Sequence, residues 1–267
     1  MNSAGENAKK SPLKNPAKNL SLKIGRNKWK IMSNISDADI EAEAIVFAQK
    51  NKKEIAKRLV DSSIYKPEDH PVSVFMAGSP GAGKTESAKA LIQKISNNDL
   101  VLHIDPDELR VEFEAYNGKN SSLFQGATSI VVDKIHDLAL KQKQSFVFDG
   151  TLTNFNRAVD NISRSLKKSR DVFIVYVYQD PIQAWEFVKI RASKDGRIIP
   201  REAFIEQYFL ARENVNKIKA QFVGNLQVDL IVKNIDGTDF KYHENISKID
   251  SYIPEEYSSD KLHDILK

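Results

Sequence analysis

The stretch Gly78-Ser79-Pro80-Gly81-Ala82-Gly83-Lys84-Thr85 places three glycines, a lysine and a hydroxyl side by side. Glycines at these positions let successive backbone N–H groups converge on phosphate oxygens, and a helix opening at Lys84 turns its positive end toward the same anion. The Lys84 ammonium would sit on the β- and γ-phosphates and the Thr85 hydroxyl would ligate Mg²⁺. Gly78 through Thr85 therefore read as contacts of a nucleotide triphosphate. Acids follow at 105, 107 and 149. Asp105-Pro106-Asp107 closes an apolar run at 100–104, and a carboxylate there could orient or deprotonate an acceptor hydroxyl, with Asp107 the preferred base and Asp105 the alternative. Phe146-Val147-Phe148-Asp149-Gly150-Thr151 is a second apolar run ending in an acid. Asp149 could aid Mg²⁺ directly or through water, or bind the acceptor; Thr151 could hydrogen-bond a phosphate or a sugar hydroxyl. Arg191, Lys194, Arg197 and Arg201 cluster where Gly196 and Pro200 break a helical pattern, as in a lid that brings arginine to phosphates. Taken alone, Asp133 reads as a solvated helix charge, and His103 and His136 as structural residues on apolar-patterned segments.

These side chains need a frame, and the apolar pattern supplies one. Apolar runs at 72–77, 100–104, 145–148, 172–178 and 228–232 predict strands, and amphipathic stretches at 84–95, 121–141, 155–168, 181–192 and 200–222 predict helices between them. Short continuous apolar strands alternating with helices predict an α/β fold of the P-loop NTPase type: a parallel sheet covered by helices on both faces. Ligands of such sheets bind beyond the carboxyl ends of the strands, where the phosphate loop and both acidic segments fall. Upstream, Ile40, Ala44, Phe47, Ala48, Ile55 and Leu59 recur at helical spacing over 37–60, with Ser36 as the cap. Pro67 and Pro71 end that pattern. The expected organisation is a basic, disordered tail at 1–35, a helical segment at 36–70 that is an addition to the fold, and the main domain at 71–267.

Composition narrows the function classes. There is no cysteine, which removes disulfides, thiolate metal sites and cysteine nucleophiles. No apolar run approaches a membrane span and the N-terminus lacks a signal peptide's apolar core, so a cytoplasmic location is expected. The net charge of +4 is deceptive: residues 1–31 carry eight Lys/Arg and one acid, which leaves −3 for residues 32–267. A basic face on folded structure, as nucleic acid would require, is therefore not expected. Met32, at the end of the basic stretch, is a candidate natural start. The phosphate loop by itself also suits GTPases, motor ATPases and nucleotide-controlled binding modules. Against a GTPase, the closest approach to Asn-Lys-x-Asp is Asn234-Ile235-Asp236; against a motor ATPase, the chain leaves little room for extra modules. A binding module without a catalytic base stays open.

In order and spacing, the loop at 78–85, Ile104-Asp105-Pro106-Asp107, the helix with Asp133, Phe148-Asp149-Gly150-Thr151 and Gly196-Arg197-Ile198-Ile199-Pro200 resemble the zeta toxin family of bacterial P-loop kinases over roughly 71–225. That resemblance implies phosphorylation of the sugar 3′-hydroxyl of UDP-N-acetylglucosamine with ATP or GTP and Mg²⁺, blocking cell-wall synthesis. It implies Lys84 and Thr85 at the nucleotide, Asp107 as base, Asp133, Asp149 and Thr151 at the acceptor, and Arg191 and Arg197 on the phosphates. Asp133 and Asp149 stand where the family's best-known members have glutamates, and Thr153 where they have an arginine. Related kinases act on NAD or polynucleotide ends, so those are the alternative acceptors. The resemblance also implies an antitoxin whose helix blocks the nucleotide site, a role that the 37–60 helix could take within the same chain.

Overall fold

The computed structural model describes residues 36–96, 100–234, 240–253 and 256–267. The basic tail expected at 1–35 lies outside the described residues. Helix α1 (Asp37–Leu59) opens with Asp37 and Asp39 and closes with Lys57 and Arg58, charges matched to the two ends of its dipole. Strand β1 (Val72–Ala77) leads through the phosphate loop into α2 (Lys84–Ile95). There follow β2 (Leu102–Ile104), α3 (Gln125–Lys141), β3 (Phe146–Phe148), α4 (Phe155–Leu166), β4 (Asp171–Tyr178), α5 (Pro181–Asp195), α6 (Arg201–Gln221), β5 (Gln227–Lys233), β6 (Phe240–His243) and α7 (Ser259–Ile265).

The strands form one sheet in the order β2-β3-β1-β4-β5-β6. The first five run parallel, and β6 pairs antiparallel to β5, with Leu230 opposite His243. Alternation along β1 divides the core. Phe75 and Ala77 join the cluster beneath α1, α3, α4 and α6, whereas Val74 and Met76 join Ala88 of α2 on the other face. Both faces are thus covered, as continuous apolar strands require. A third cluster, including Trp185, Phe204 and Leu262, packs α5, α6 and α7 together. Residues 37–267 make one compact unit.

Three local differences from the sequence reading have physical causes. Strand β6 was not expected, because four residues containing Lys241 and His243 carry no apolar run; the strand is tied instead by Tyr242, whose hydroxyl donates to buried Asp229 at 2.6 Å. The helix expected from residue 121 begins as a 3-10 turn, Ser121–Phe124, and turns α-helical only at Gln125. Helix α5 runs past residue 192 to Asp195 and ends on Gly196 in the left-handed conformation. Arg191 and Lys194 are therefore helical, and only Arg197 lies on the connection to α6.

Candidate active site

The phosphate loop is shaped where its backbone takes conformations that side chains oppose. Gly78 (φ 135°) and Gly81 (φ 76°) have positive φ, and a Cβ at either would run into the carbonyl of Val177 or Ala184 respectively. Lys84 then folds back and its Nζ donates to the Ser79 carbonyl at 2.7 Å. Burial lowers the Lys84 pKa to about 8; Asp149 opposes that shift, and Arg197 and Arg191 reinforce it. Lys233, at the end of β5, approaches from the other side and donates to the Gly83 carbonyl at 3.3 Å.

Beside the loop, the Thr85 hydroxyl donates to Asp149 Oδ2 at 2.6 Å. A hydroxyl and a carboxylate oxygen next to a phosphate cradle form a hard-oxygen set suited to Mg²⁺, which completes its shell with water and phosphate oxygens. His103 lies behind, with Nε2 3.9 Å from Asp149 Oδ2; burial lowers its pKa, which keeps the ring neutral next to the carboxylate. Asp105 is buried and raised to about 6, first by burial and then by the charges of Asp149 and Glu108. His103, Asp105 and Glu108 bring one potential ligand atom each within 4.8 Å of one another.

The two acids of Asp105-Pro106-Asp107 divide their tasks. Asp105 Oδ1 accepts the backbone N–H of Asp107 at 2.8 Å and so fixes the turn. Asp107 keeps its own carboxylate for cations, pairing with Arg110, Arg191 (3.4 Å) and Arg197. It also precedes the 3-10 helix Glu108–Glu112 without capping it through its side chain. Across the cavity, Thr151 and Thr153 join hydroxyls at 2.9 Å. Their loop passes through Leu152 at φ 56° and is held by Asn214 of α6, whose Nδ2 donates to the carbonyls of Leu152 (2.9 Å) and Thr153 (2.8 Å).

One cavity of about 1160 Å³ takes in Lys84, Thr85, Asp107, Asp149, Thr151, Arg191 and Arg197. Pro80, Gly81, Ala82 and Gly83 line it as well, whereas Gly78 and Ser79 are buried outside the lining. Asp133 is likewise outside the lining: its side chain is 52% exposed and pairs with Arg157 at 2.9 Å. Arg157 lines the cavity in its place, braced by Ser129 Oγ at 3.0 Å. Sequence reasoning missed Arg110, Arg157 and Lys233. Arg110 could have been found from its position one turn beyond Asp107 and Lys233 from its place at a strand's carboxyl end; nothing in the pattern of α4 singled out Arg157. No residue of α1 lines the cavity. The helix expected to block the nucleotide site within the chain lies outside that lining, and its buried face, Ala44, Ala48, Ile55 and Ala56, serves the core against α3.

The family model for zeta toxin matches residues 56–247, more than half of the chain. The chain belongs to the zeta toxin family. The zeta toxin match spans every candidate residue above and leaves most of α1 outside it. Among solved structures, the PezAT toxin–antitoxin system of Streptococcus pneumoniae aligns at a TM-score of 0.55 and 16% identity, over 88% of this chain and 89% of that one. AvrRxo1-ORF1:AvrRxo1-ORF2 with sulphate ions aligns at 0.54 and 14% identity, over 81% and 71%. The same pair with ATP aligns at 0.52 and 14%, over 78% and 66%. At such identities these likenesses speak for the fold. No curated protein sequence matches the chain. No described helix of the chain is long and apolar enough to cross a membrane.

Proposed function

We propose that this zeta toxin transfers the γ-phosphoryl group of ATP or GTP to the sugar 3′-hydroxyl of UDP-N-acetylglucosamine, thereby blocking cell-wall synthesis. The observation that carries the reading is the meeting of Lys84, the Thr85–Asp149 pair and an arginine-held Asp107 in one cavity. When bound, the nucleotide would supply the phosphoryl group and Mg²⁺ would supply positive charge to its oxygens. Thr85 and Asp149 would hold that cation. Lys84 and the loop's N–H groups hold the donor phosphates, and Arg191 and Arg197 neutralise charge on the transferring group. Asp107 takes the proton from the acceptor hydroxyl as its oxygen bonds to phosphorus, and the nucleoside diphosphate leaves. Thr151, Thr153 and Arg157 line the acceptor side, Arg157 being anchored by Asp133 and Ser129. An antitoxin acting in trans is the partner this reading implies, in keeping with the toxin–antitoxin relative from Streptococcus pneumoniae.

The test is to incubate the protein with Mg²⁺, ATP or GTP and UDP-N-acetylglucosamine, and to look by mass spectrometry for one added phosphate on the sugar. Asp107→Asn is expected to abolish transfer and leave ATP binding within about twofold, since general-base catalysis contributes roughly 10²-fold or more. Full transfer by that variant, or a phosphate landing on NAD or a polynucleotide end in a parallel reaction while the UDP-sugar stays unmodified, overturns the proposal.

A further inference from the structure

Asp107 holds its cations unequally. Arg110 pairs with Oδ1, whereas Arg191 and Arg197 both pair with Oδ2. The three arginines also differ in how they are held. Arg110 sits on the 3-10 helix that Asp107 precedes, with its backbone N–H donating to the Asp107 carbonyl at 3.4 Å and its side chain only 11% exposed. Arg191 is 47% exposed near the end of α5, and Arg197 lies on the short connection beyond Gly196. Arg197 can leave Asp107 by a movement of the connection and Arg191 by a turn of its half-exposed side chain; Arg110 is fixed to the same turn as the carboxylate.

We infer that Arg110 is the positioning residue of Asp107: when Arg191 and Arg197 turn to the donor phosphates, Oδ2 is released to receive the acceptor's proton while Arg110 keeps Oδ1 fixed and the carboxylate ionised. The inference rests on the reading of Asp107 as base. Before donor arrives, the lid arginines occupy the oxygen that the acceptor hydroxyl needs, so the base is capped. Once they are drawn to phosphate, a carboxylate without Arg110 would be free to rotate. It would also lose the cation on Oδ1, on a segment that carries the acids Asp105 and Glu108, in a cavity lined as well by Asp149 and by the cations Lys84, Lys89, Lys194, Arg157 and Lys233. Loss of an adjacent cation favours protonation of a carboxylate, so the acid limb of the rate profile must move to higher pH.

The experiment measures kcat, the KM for ATP and the pH profile of kcat/KM for UDP-N-acetylglucosamine in the full chain, comparing wild type, R110Q, R110K and D107N. R110Q is expected to lower kcat about tenfold or more, as loss of base positioning does, with the KM for ATP within about twofold and the acid limb displaced to higher pH. R110K, which keeps the charge on a flexible stem, recovers part of the rate and leaves the limb near its wild-type place. A wild-type kcat in R110Q overturns the inference, as does a loss with an unmoved limb, or a loss confined to the KM for ATP. Should R110Q fail to fold, R110K decides: a lowered kcat with unchanged KM for ATP supports the role and a wild-type kcat overturns it. D107N separates the two layers, because activity in that variant removes the base assignment itself, whereas an inactive D107N beside an unaffected R110Q removes only the role of Arg110.

Discussion

Lys84 is buried before any phosphate reaches it, and that burial, opposed by Asp149 and reinforced by Arg197 and Arg191, brings its pKa down to about 8. The charged form is the one a phosphate needs, so the sign of the pH dependence follows. Below pH 8 the ammonium is in place; above it, binding must include uptake of a proton. ATP affinity is therefore expected to be flat up to about pH 8 and then to weaken by up to about tenfold per unit, measured by calorimetry in the absence of acceptor. Lys84→Met should bind ATP weakly and show no break at that pH; a break that persists in the variant would assign it to another group. At this scale the sequence was most legible where a role depends on local spacing: the phosphate loop, Asp107 and Asp149 could be singled out because strand, turn and acid lie within a few residues. Asp133 and Arg157 are 24 residues apart, and only the packing of α4 on α3 decides which of them reaches the cavity.

Helix α3 shows how an element serves the site from behind. Thr128, Ser129 and Val132 line the cavity, while His136, one turn further along, is buried at the ring edges of Phe75, Phe146 and Phe148. Burial drives the His136 pKa down to about 3, with Arg164 adding to the effect. Between pH 6.5 and 3 the unfolded chain binds a proton here that the folded chain refuses, so stability is full above 6.5 and falls with acidification, by up to about 1.4 kcal/mol per unit. His136→Leu is expected to flatten that fall between pH 7 and 5 in urea titrations; an equal fall in both proteins would clear His136. Elements as a class were readable in proportion to how much of their burial is local. Strand β1 and α2 meet their sequence-read bounds because an unbroken apolar run and a glycine-to-lysine opening mark them. Strand β6 was invisible because its partners are distant in sequence: it pairs with β5, where Asp229, more than ten residues upstream, accepts from the Tyr242 hydroxyl and the Asn245 backbone at 2.6 and 2.9 Å.

Across the whole molecule, α1 is tied to the segment that carries Asp107 by way of its flank. Phe47 meets Phe113 edge-on at 5.8 Å, and Arg58 pairs with Glu112 at 2.5 Å. Both partners lie at the end of the 3-10 helix that carries Arg110. Ala48 and Ala56 have no exposed surface, and Ile45 stands beside Gly126 at the start of α3. A helix so placed supports the wall of the cavity that carries Asp107. Its removal should weaken the enzyme rather than release it. Ala48→Glu buries an unpaired carboxylate and is expected to destabilise the fold by about 3 kcal/mol, read as a lower midpoint in denaturant. Below the transition, kcat should fall or hold and never rise. Deleting residues 1–60 removes the whole buried face and is expected to give an unstable, weakly active protein; a folded deletion product with a higher rate than the full chain would restore the idea of a helix that inhibits in cis.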